Sequence, residues 1–353
     1  MIPIFGILVI GPIQNAVMQT RLNPGRAVMQ TRLNPGRALQ SRRGFLRSAG
    51  AKVSAAAISS PLLARSAHAA GDDAIRIGLV GSGSRGSGAV ANAFHVDPGV
   101  RLVAMADVFK DRLQSSRRLL KDRFADRVMV DDSHCFVGFD AYRKLITADV
   151  DVVLIAAASQ FHPRMLKAAV EGGKHVFCEK VHAVDAPGVR LVQEACEEAK
   201  RKGLSVVSGL HRRYHAGIQE AVSRVRDGAI GDIVAMEASF MNAPFSVRSR
   251  KPEWNELEWQ MRNWFHFNWL SGDVIGQTLV HTLDLAAWVM DEQPPLSAFG
   301  AGGRSACFGE RFGDLYDNFN VCYEYADGVR LYGFTRAQPG CYNQVTTRLQ
   351  GTK

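Results

Sequence analysis

A glycine-rich segment at residues 81–86 has the residue types and spacing that let a protein backbone approach a phosphate closely. The segment follows an apolar run, Ile75–Val80, and precedes a run of small residues. In such a strand–turn–helix unit the glycines permit a tight turn, open backbone N–H groups to a ligand and let the helix pack on the strand, while the helix N-terminus favours negative charge. We therefore predict a pyrophosphate site formed by Gly81, Ser82, Gly83, Ser84, Arg85 and Gly86.

A carboxylate stands where such a site binds the adenosine ribose. The apolar run 101–106 ends in Asp107, 21 residues after Gly86. At this distance an acidic residue accepts hydrogen bonds from ribose hydroxyls, so we predict NAD as the cofactor. Lys110 and Arg112 lie nearby and leave NADP open. The alternatives are that Asp107 only caps the next helix and that Arg85 only faces water.

The elements that would position these residues alternate along residues 74–210. Strands alternating with helices of this length predict a doubly wound parallel sheet, an NAD(P)-binding Rossmann domain, in an α/β protein. Further strands are predicted at 127–130, 150–156, 174–178 and 204–208, with helices at 139–146, 163–171 and 186–202. The tips of the strands, with Ser159, His162 and Glu179-Lys180, would form the ligand crevice.

The pattern changes in residues 211–353, for which we predict an α+β domain with a mostly antiparallel sheet. A helix is predicted at 216–227, and strands at 233–241, 296–300, 318–325, 329–335 and 344–349. Ala326-Asp327-Gly328 is a hairpin-turn signal between two of these strands.

Four segments resemble motifs of the Gfo/Idh/MocA family, which includes glucose–fructose oxidoreductase and inositol dehydrogenase. They are residues 151–156 with His162, 173–180, 228–233 and 280–284. The resemblance spans residues 74–353. It implies an NAD(P)-dependent oxidoreductase that assembles as a homo-oligomer through its C-terminal sheet. Two positions depart from the family pattern: Val181 replaces a proline, and Gln277 replaces an acid four residues before His281.

The resemblance also implies roles for individual residues. Lys180 would lie beside the nicotinamide, with a pKa depressed by desolvation, and would exchange a proton with a substrate hydroxyl. His281 would share that role, with Asp284 on the same helical face orienting its ring. The alternatives are a surface Lys180 paired with Glu179, and a histidine in the core.

Other residues are candidates for the cofactor or substrate side of the crevice. His162 lies near the nicotinamide ribose or has a structural role, and Ser159 and Glu179 belong to the cofactor side. We expect Arg213, Tyr214 and Gln277, with Arg212, near the substrate. Trp264 and Trp269 would stack on a sugar or anchor an interface. Residues 262–273 resemble a subgroup of secreted relatives.

The predicted activity is hydride transfer between a hydroxyl of a sugar or cyclitol and a tightly bound nicotinamide. Two alternatives stay open at this point. One is an NAD-dependent glycosidase, which oxidises its substrate transiently to permit elimination. The other is a nicotinamide-binding sensor or scaffold without turnover.

The net charge of the 353-residue chain, +9, comes from its first 70 residues, which contain nine Lys or Arg and no Asp or Glu. The remainder has 34 basic and 34 acidic residues, so net charge gives no support for a nucleic-acid partner. The six cysteines are scattered and form no C-x-x-C pair, which argues against a metal site. A disulfide among Cys307, Cys322 and Cys341 is the alternative to buried thiols.

Residues 1–70 are predicted to be a leader. Residues 41–47, SRRGFLR, resemble the twin-arginine export signature, and an apolar stretch with an A-x-A-like site at Ala67–Ala69 follows. We expect a periplasmic protein that uses the twin-arginine export machinery and has no stable membrane anchor. The alternative is a basic amphipathic surface helix.

The two ends of the chain carry further expectations. An eleven-residue tandem repeat, AVMQTRLNPGR, precedes the signature. We interpret it as a sign that the start codon is assigned too far upstream and that translation begins at Met18 or Met29. At Lys353 the family's sequences continue, so we expect a truncated reading frame.

Overall fold

The structure is a computed structural model that describes residues 74–353. The predicted leader, the segment that resembles a twin-arginine signature and the repeat lie outside the described residues. In the described part, no helix is long and apolar enough to cross a membrane.

The N-terminal domain is a six-stranded sheet in which all pairings are parallel, in the order β3-β2-β1-β4-β5-β6. Its strands are β1 (Ile75–Val80), β2 (Val100–Asp107), β3 (Cys135–Val137), β4 (Val152–Ile155), β5 (His175–Cys178) and β6 (Val206–Ser208). Its helices are α1 (Ser84–Val96), α2 (Lys110–Phe124), α3 (Ala141–Thr147), α4 (His162–Glu171) and α5 (Ala186–Arg201). Because the strand order reverses between β1 and β4, the crevice at their carboxyl ends is the expected ligand site.

The edge of this sheet differs from the prediction. Residues 127–130 form no strand; Val128 makes one isolated bridge to Leu102, and the edge strand is β3. The guanidinium of Arg127 donates to the carbonyls of Phe94, Asp97 and Val100, so this residue joins the end of α1 to the start of β2. Residues 125–127 form a 3₁₀ turn instead of the start of a strand.

The C-terminal domain is a mixed, mostly antiparallel sheet in the order β11-β7-β10-β9-β8. Only β7 and β10 pair in parallel. Its strands are β7 (Ile233–Asn242), β8 (Ser297–Gly303), β9 (Asn318–Glu324), β10 (Arg330–Ala337) and β11 (Gln344–Gly351). The predicted hairpin turn is confirmed, because Asp327 and Gly328 adopt positive φ between β9 and β10.

The helices of this domain connect it to the crevice. They are α6 (Ala216–Arg226), α7 (Glu256–Arg262), α8 (Asn268–Ser271) and α9 (Val280–Val289), and a π-helical turn, Ile275–Leu279, leads directly into α9. Leu279, Leu283 and Ala286 pack beneath the sheet against Met236 and Leu331. Residues 244–271, here called the cover segment, lie between β7 and the π-helical turn and contain α7 and α8.

Candidate functional site

The glycine segment forms a tight loop between β1 and α1. Gly81 has φ +91°, and a side chain there would lie within 2.5 Å of the backbone of Ala156. A side chain at Gly86 would lie 2.0 Å from the carbonyl oxygen of Gly81, whereas nothing lies within 4 Å of the Cβ position of Gly83. The loop is thus closed toward the protein and open toward the crevice.

The open side of the loop suits an anionic ligand. Gly83 is the N-cap of α1, and no side chain of the described residues caps this helix. The hydroxyl of Ser82 is buried and has no hydrogen-bond partner in the same part of the chain. A pyrophosphate would satisfy these donors and lie at the positive end of the helix, so the residues present fit a dinucleotide.

Asp107, at the end of β2, is bonded to the loop. Its Oδ2 accepts the backbone N–H of Ser82 at 2.7 Å, and its Oδ1 accepts that of Phe109 at 2.8 Å. Burial raises the pKa of Asp107, and the two N–H groups offset only part of this effect. Asp107 therefore does more than start α2, whose N-cap is Phe109, because it also fixes the glycine loop to β2.

One cavity of about 800 Å³ joins the glycine loop and Asp107 to Glu179, Lys180 and Gln277. The predicted residues Gly81, Ser82, Gly83, Ser84 and Arg85 lie in its wall. So do Arg112 and Trp264, which the sequence analysis named, and several other residues of the cover segment, which it did not. The cavity therefore extends from the loop to the lysine.

Lys180, just past β5, is held by Gln277 of the π-helical turn. Its Nζ donates to the backbone carbonyl of Gln277 at 2.6 Å, and the side-chain Oε1 lies 3.4 Å away. The Gln277 amide donates in turn to Ser159 Oγ and to the carbonyl of Ser271. Burial lowers the pKa of Lys180 to about 8, although the charge of Glu179 opposes the shift. The direction agrees with the prediction.

Glu179 does not form the expected alternative pair with Lys180. Its Oε1 lies 3.1 Å from Nε of Arg85. Burial raises the pKa of Glu179, while Arg85 and Lys180 lower it less. Arg85 is thus bound to a carboxylate in addition to lying on the cavity wall.

His281 lies in a cluster of basic side chains with Lys180, His211 and Arg212. Its ring centroid is 5.2 Å from that of His211, and its Nδ1 is buried without a hydrogen-bond partner within residues 74–353. Burial, aided by the charges of Lys180, His211 and Arg212, lowers the pKa of His281 to about 3. His281 is therefore neutral, and it is not among the residues of the cavity wall.

The expectation that Asp284 orients His281 is wrong. Arg213 donates to both carboxylate oxygens of Asp284 through Nε, at 3.0 Å, and through Nη2, at 2.7 Å. Its Nη1 binds Glu292. The planar guanidinium matches the carboxylate in a way that the imidazole does not. Arg213 and Asp284 thus form a buried ion pair.

Several other predicted residues lie outside the cavity wall. Arg213 is only 13% exposed and is paired with Asp284 and Glu292. The side chain of Tyr214 is exposed to solvent. Both ring nitrogens of His162 lie 2.8 Å from a backbone carbonyl, of Val181 and of Ala157, which favours its structural alternative. Ser159 reaches the site only through Gln277.

The two candidate tryptophans differ. Trp264 lines the cavity and stacks on Phe265 with ring centroids 3.9 Å apart. Trp269 lies outside the cavity wall, and its Nε1 donates to Gln260. None of the six cysteines forms a disulfide, and residues 74–353 contain no cluster of metal-ligating side chains.

Family models match both domains of the chain. Residues 75–209 match the model described as "Oxidoreductase family, NAD-binding Rossmann fold", and residues 218–353 match the GFO/IDH/MocA C-terminal domain. The chain belongs to the Gfo/Idh/MocA family. Its N-terminal domain is accordingly the NAD-binding domain of this family.

Curated members of the family include inositol 2-dehydrogenases. The chain is 28% identical over 260 residues to the one from Acidothermus cellulolyticus, covering 73% of this chain and 65% of that protein. It is 29% identical over 223 residues to the one from Paracoccus denitrificans, covering 62% of this chain and 55% of that protein. The matched region thus spans less than two thirds of the length of either relative.

Solved structures of the family have the same fold. A myo-inositol 2-dehydrogenase from Lactobacillus plantarum has a TM-score of 0.61 and 24% identity, covering 79% of this chain and 75% of that one. An aldose-aldose oxidoreductase from Caulobacter crescentus, complexed with glycerol, has a TM-score of 0.60 and 20% identity with the same coverage. These likenesses establish the fold of the described residues.

The position of Asp107 predicts a preference for NAD over NADP. Replacing Asp107 with Asn should raise the affinity for NADPH relative to NADH by about tenfold, because removing one unit of like charge beside a phosphate is worth on the order of 1 kcal/mol or more. Fluorescence titration with both nucleotides measures this ratio. Asp97→Asn is the matched control. Asp97 also accepts a backbone N–H, but it lies just before β2, at the end of the strand opposite to Asp107. Tighter binding of NADPH than of NADH by the unmodified protein would contradict the assignment.

Proposed function

We propose that the protein is an NAD-dependent oxidoreductase that converts a secondary hydroxyl of a cyclitol or sugar to a ketone, and the reverse. The observation that carries the proposal is Lys180, a half-buried amine in the same cavity as the glycine loop. The similarity to inositol 2-dehydrogenases supports a polyol substrate.

Different residues would bind different parts of the cofactor. The backbone of Gly81–Gly86 would hold the pyrophosphate, and Asp107 would accept from a ribose hydroxyl. When bound, the nicotinamide supplies the acceptor for the hydride that leaves the substrate carbon. NAD is the proposed cofactor, with NADP as the less favoured alternative because of Asp107.

Lys180 would move the proton. With its pKa lowered to about 8, a minority of the amine, on the order of a tenth, is neutral at pH 7, and this form can accept the hydroxyl proton as the C–H bond breaks. Gln277 keeps Nζ in place without adding a negative charge, which would raise the pKa. In the reverse direction the ammonium form returns the proton to the carbonyl oxygen.

His281 would assist by binding. His281 lies outside the cavity wall, so its contact with the substrate is part of this proposal. Because its imidazole is neutral, its Nδ1, which has no partner within residues 74–353, would form one hydrogen bond with the substrate without carrying the proton. The charges of Lys180 and Arg212 disfavour an imidazolium. Lys180 is therefore the main acid–base group of the proposed reaction.

We also propose self-association through the open face of the C-terminal sheet. Phe299 and Tyr332 both pair with Cys322 of β9, so they lie on one face of the sheet. Phe299 is 61% exposed and Tyr332 is 38% exposed. Since α9 covers the other face, two large apolar side chains are available for a second copy of the chain.

The first test follows the hydride and the proton. Replacing Lys180 with Ala should lower turnover of myo-inositol or another accepted polyol by about 10²–10⁴-fold, the usual contribution of a positioned acid–base group, and should leave NADH binding intact. Lys174→Ala is the matched control, because Lys174 precedes the same strand and its Nζ is bonded to the carbonyl of Val150.

A substrate deuterated at the reacting carbon shows which reaction occurs. We expect deuterium on the reduced nicotinamide and a ketone product, measured by mass spectrometry. Deuterium that returns to a cleaved sugar at its original oxidation level would instead identify the redox-assisted glycosidase. Binding of NADH without any turnover across a panel of polyols and glycosides would contradict both enzymatic hypotheses and support the sensor hypothesis.

We further propose that the protein is exported to the periplasm by the twin-arginine route. The support is the segment Ser41–Arg47, followed by an apolar stretch. Replacing Arg42 and Arg43 together with Lys should retain the protein in the cytoplasm, as measured by cell fractionation. Arg47→Lys is the control, because the signature itself has lysine at that place. Periplasmic delivery of the double variant would contradict the proposal.

A further inference from the structure

The cover segment belongs to the C-terminal domain but lines the cavity of the NAD-binding domain. Its cavity-lining residues are Ser246, Arg248, Met261, Arg262, Asn263, Trp264, Phe265 and His266. They face the same space as the glycine loop and Asp107. The dinucleotide site is therefore built from both domains.

An apolar cluster fixes the cover segment to the carboxyl ends of the parallel strands. Trp259 and Leu270 are buried, and they belong to one cluster with Ala158 and Phe109 of the N-terminal domain. Trp259 packs edge-to-face on Phe267, with ring centroids 5.2 Å apart. Burying several aromatic side chains makes this a packed wall of the cavity.

Arg262 connects the cover segment to the start of α2. Its Nη1 and Nη2 each lie 3.1 Å from a different carboxylate oxygen of Asp111, and its Nε donates to Glu258 at 2.9 Å. Its guanidinium carbon lies 4.0 Å from the ring centroid of Phe109 and 4.8 Å from that of Trp254. The side chain of Arg262 is 11% exposed, whereas that of Asp111 is 66% exposed. Such a bidentate pair, held between two aromatic rings, has one favoured geometry.

The Arg262–Asp111 pair lies near Asp107, which is the residue expected to bind the adenosine ribose of the cofactor. Asp111 and Phe109 immediately follow Asp107, and all three line the cavity with Arg262. The side-chain hydrogen bond from Arg262 is the largest effect that lowers the pKa of Asp111, so the pair is ionised at neutral pH. Separating the cover segment from α2 would break this pair at the end of the cavity where the ribose is expected.

We propose that the Arg262–Asp111 pair is a latch that closes the dinucleotide site and slows release of the cofactor. A bound dinucleotide leaves when the cover segment separates from α2, and the latch sets how often that happens. Loss of a specific contact usually acts on the dissociation rate rather than on association. The inference rests on dinucleotide binding in the proposed function, and it is independent of the role of Lys180.

The test measures release of NADH. The protein is loaded with NADH, an excess of NAD is added, and the decrease in nucleotide fluorescence gives the dissociation rate. Arg262→Lys, which keeps the charge but loses the planar fork, and Asp111→Asn should each speed release about three- to fivefold. The double variant should release no faster than the faster single variant. Thermal unfolding of each cofactor-free variant checks that it is folded.

A matched control uses another arginine pair on a helix. Arg224 and Glu220 in α6 form an exposed pair away from the cavity, and Arg224→Lys should leave the release rate unchanged. Release from folded Arg262→Lys and Asp111→Asn proteins within twofold of the unmodified rate would overturn the latch. Unmodified protein that binds no NADH would instead contradict the proposed function, and the latch with it.

Hydrogen exchange of the unmodified protein gives a measurement that needs no variant. NADH should slow amide exchange in residues 244–271 as well as in the glycine loop. Slowing confined to the loop would also overturn the latch.

Discussion

The ammonium group of the half-buried Lys180 donates to the backbone carbonyl of Gln277, and the organisation of the site depends on this contact. Lys180 comes from the end of a parallel strand, whereas Gln277 comes from the π-helical turn of the other domain. Because the contact joins the two domains, the lysine stays in place only when both domains are packed together. The cavity between the glycine loop and Lys180 is likewise lined by residues of both domains.

The acids around this lysine are occupied by arginines. Glu179, the acid whose charge acts on Lys180, pairs with Arg85, and Asp284, further along α9, pairs with Arg213. A buried lysine next to a free carboxylate would keep its proton, whereas next to an amide it can lose it near neutral pH. The pairing of the surrounding charges is therefore as important to the proposed chemistry as the lysine itself.

Much of the fold follows from local sequence patterns. The alternating apolar runs predicted the doubly wound sheet, with most element boundaries within two residues, because parallel strands are buried on both faces and their helices are amphipathic. The glycine loop was predictable because its spacing is imposed by the turn itself. The antiparallel C-terminal sheet was predicted from short strands and one turn signal.

The features that the sequence did not predict depend on partners distant along the chain. Arg262 meets Asp111 across 151 residues, so nothing in residues 244–271 alone indicated a wall of the dinucleotide site. Helical spacing placed Asp284 correctly on the face of His281, but the competing Arg213 is 71 residues away. Local patterns predict where a side chain lies and do not predict which of several charged partners it binds.

The pKa of Lys180 tests most directly whether burial beside Gln277 prepares this amine for proton transfer. An NMR titration of the lysine side chains, with the Lys180 signal assigned by its loss in Lys180→Arg, gives this value in the cofactor-free protein. We expect a midpoint of about 8 and a clear upward shift in Gln277→Glu, because an added carboxylate stabilises the ammonium form. A midpoint near the ordinary lysine value of about 10.4 in the unmodified protein would contradict the proposed role of Lys180.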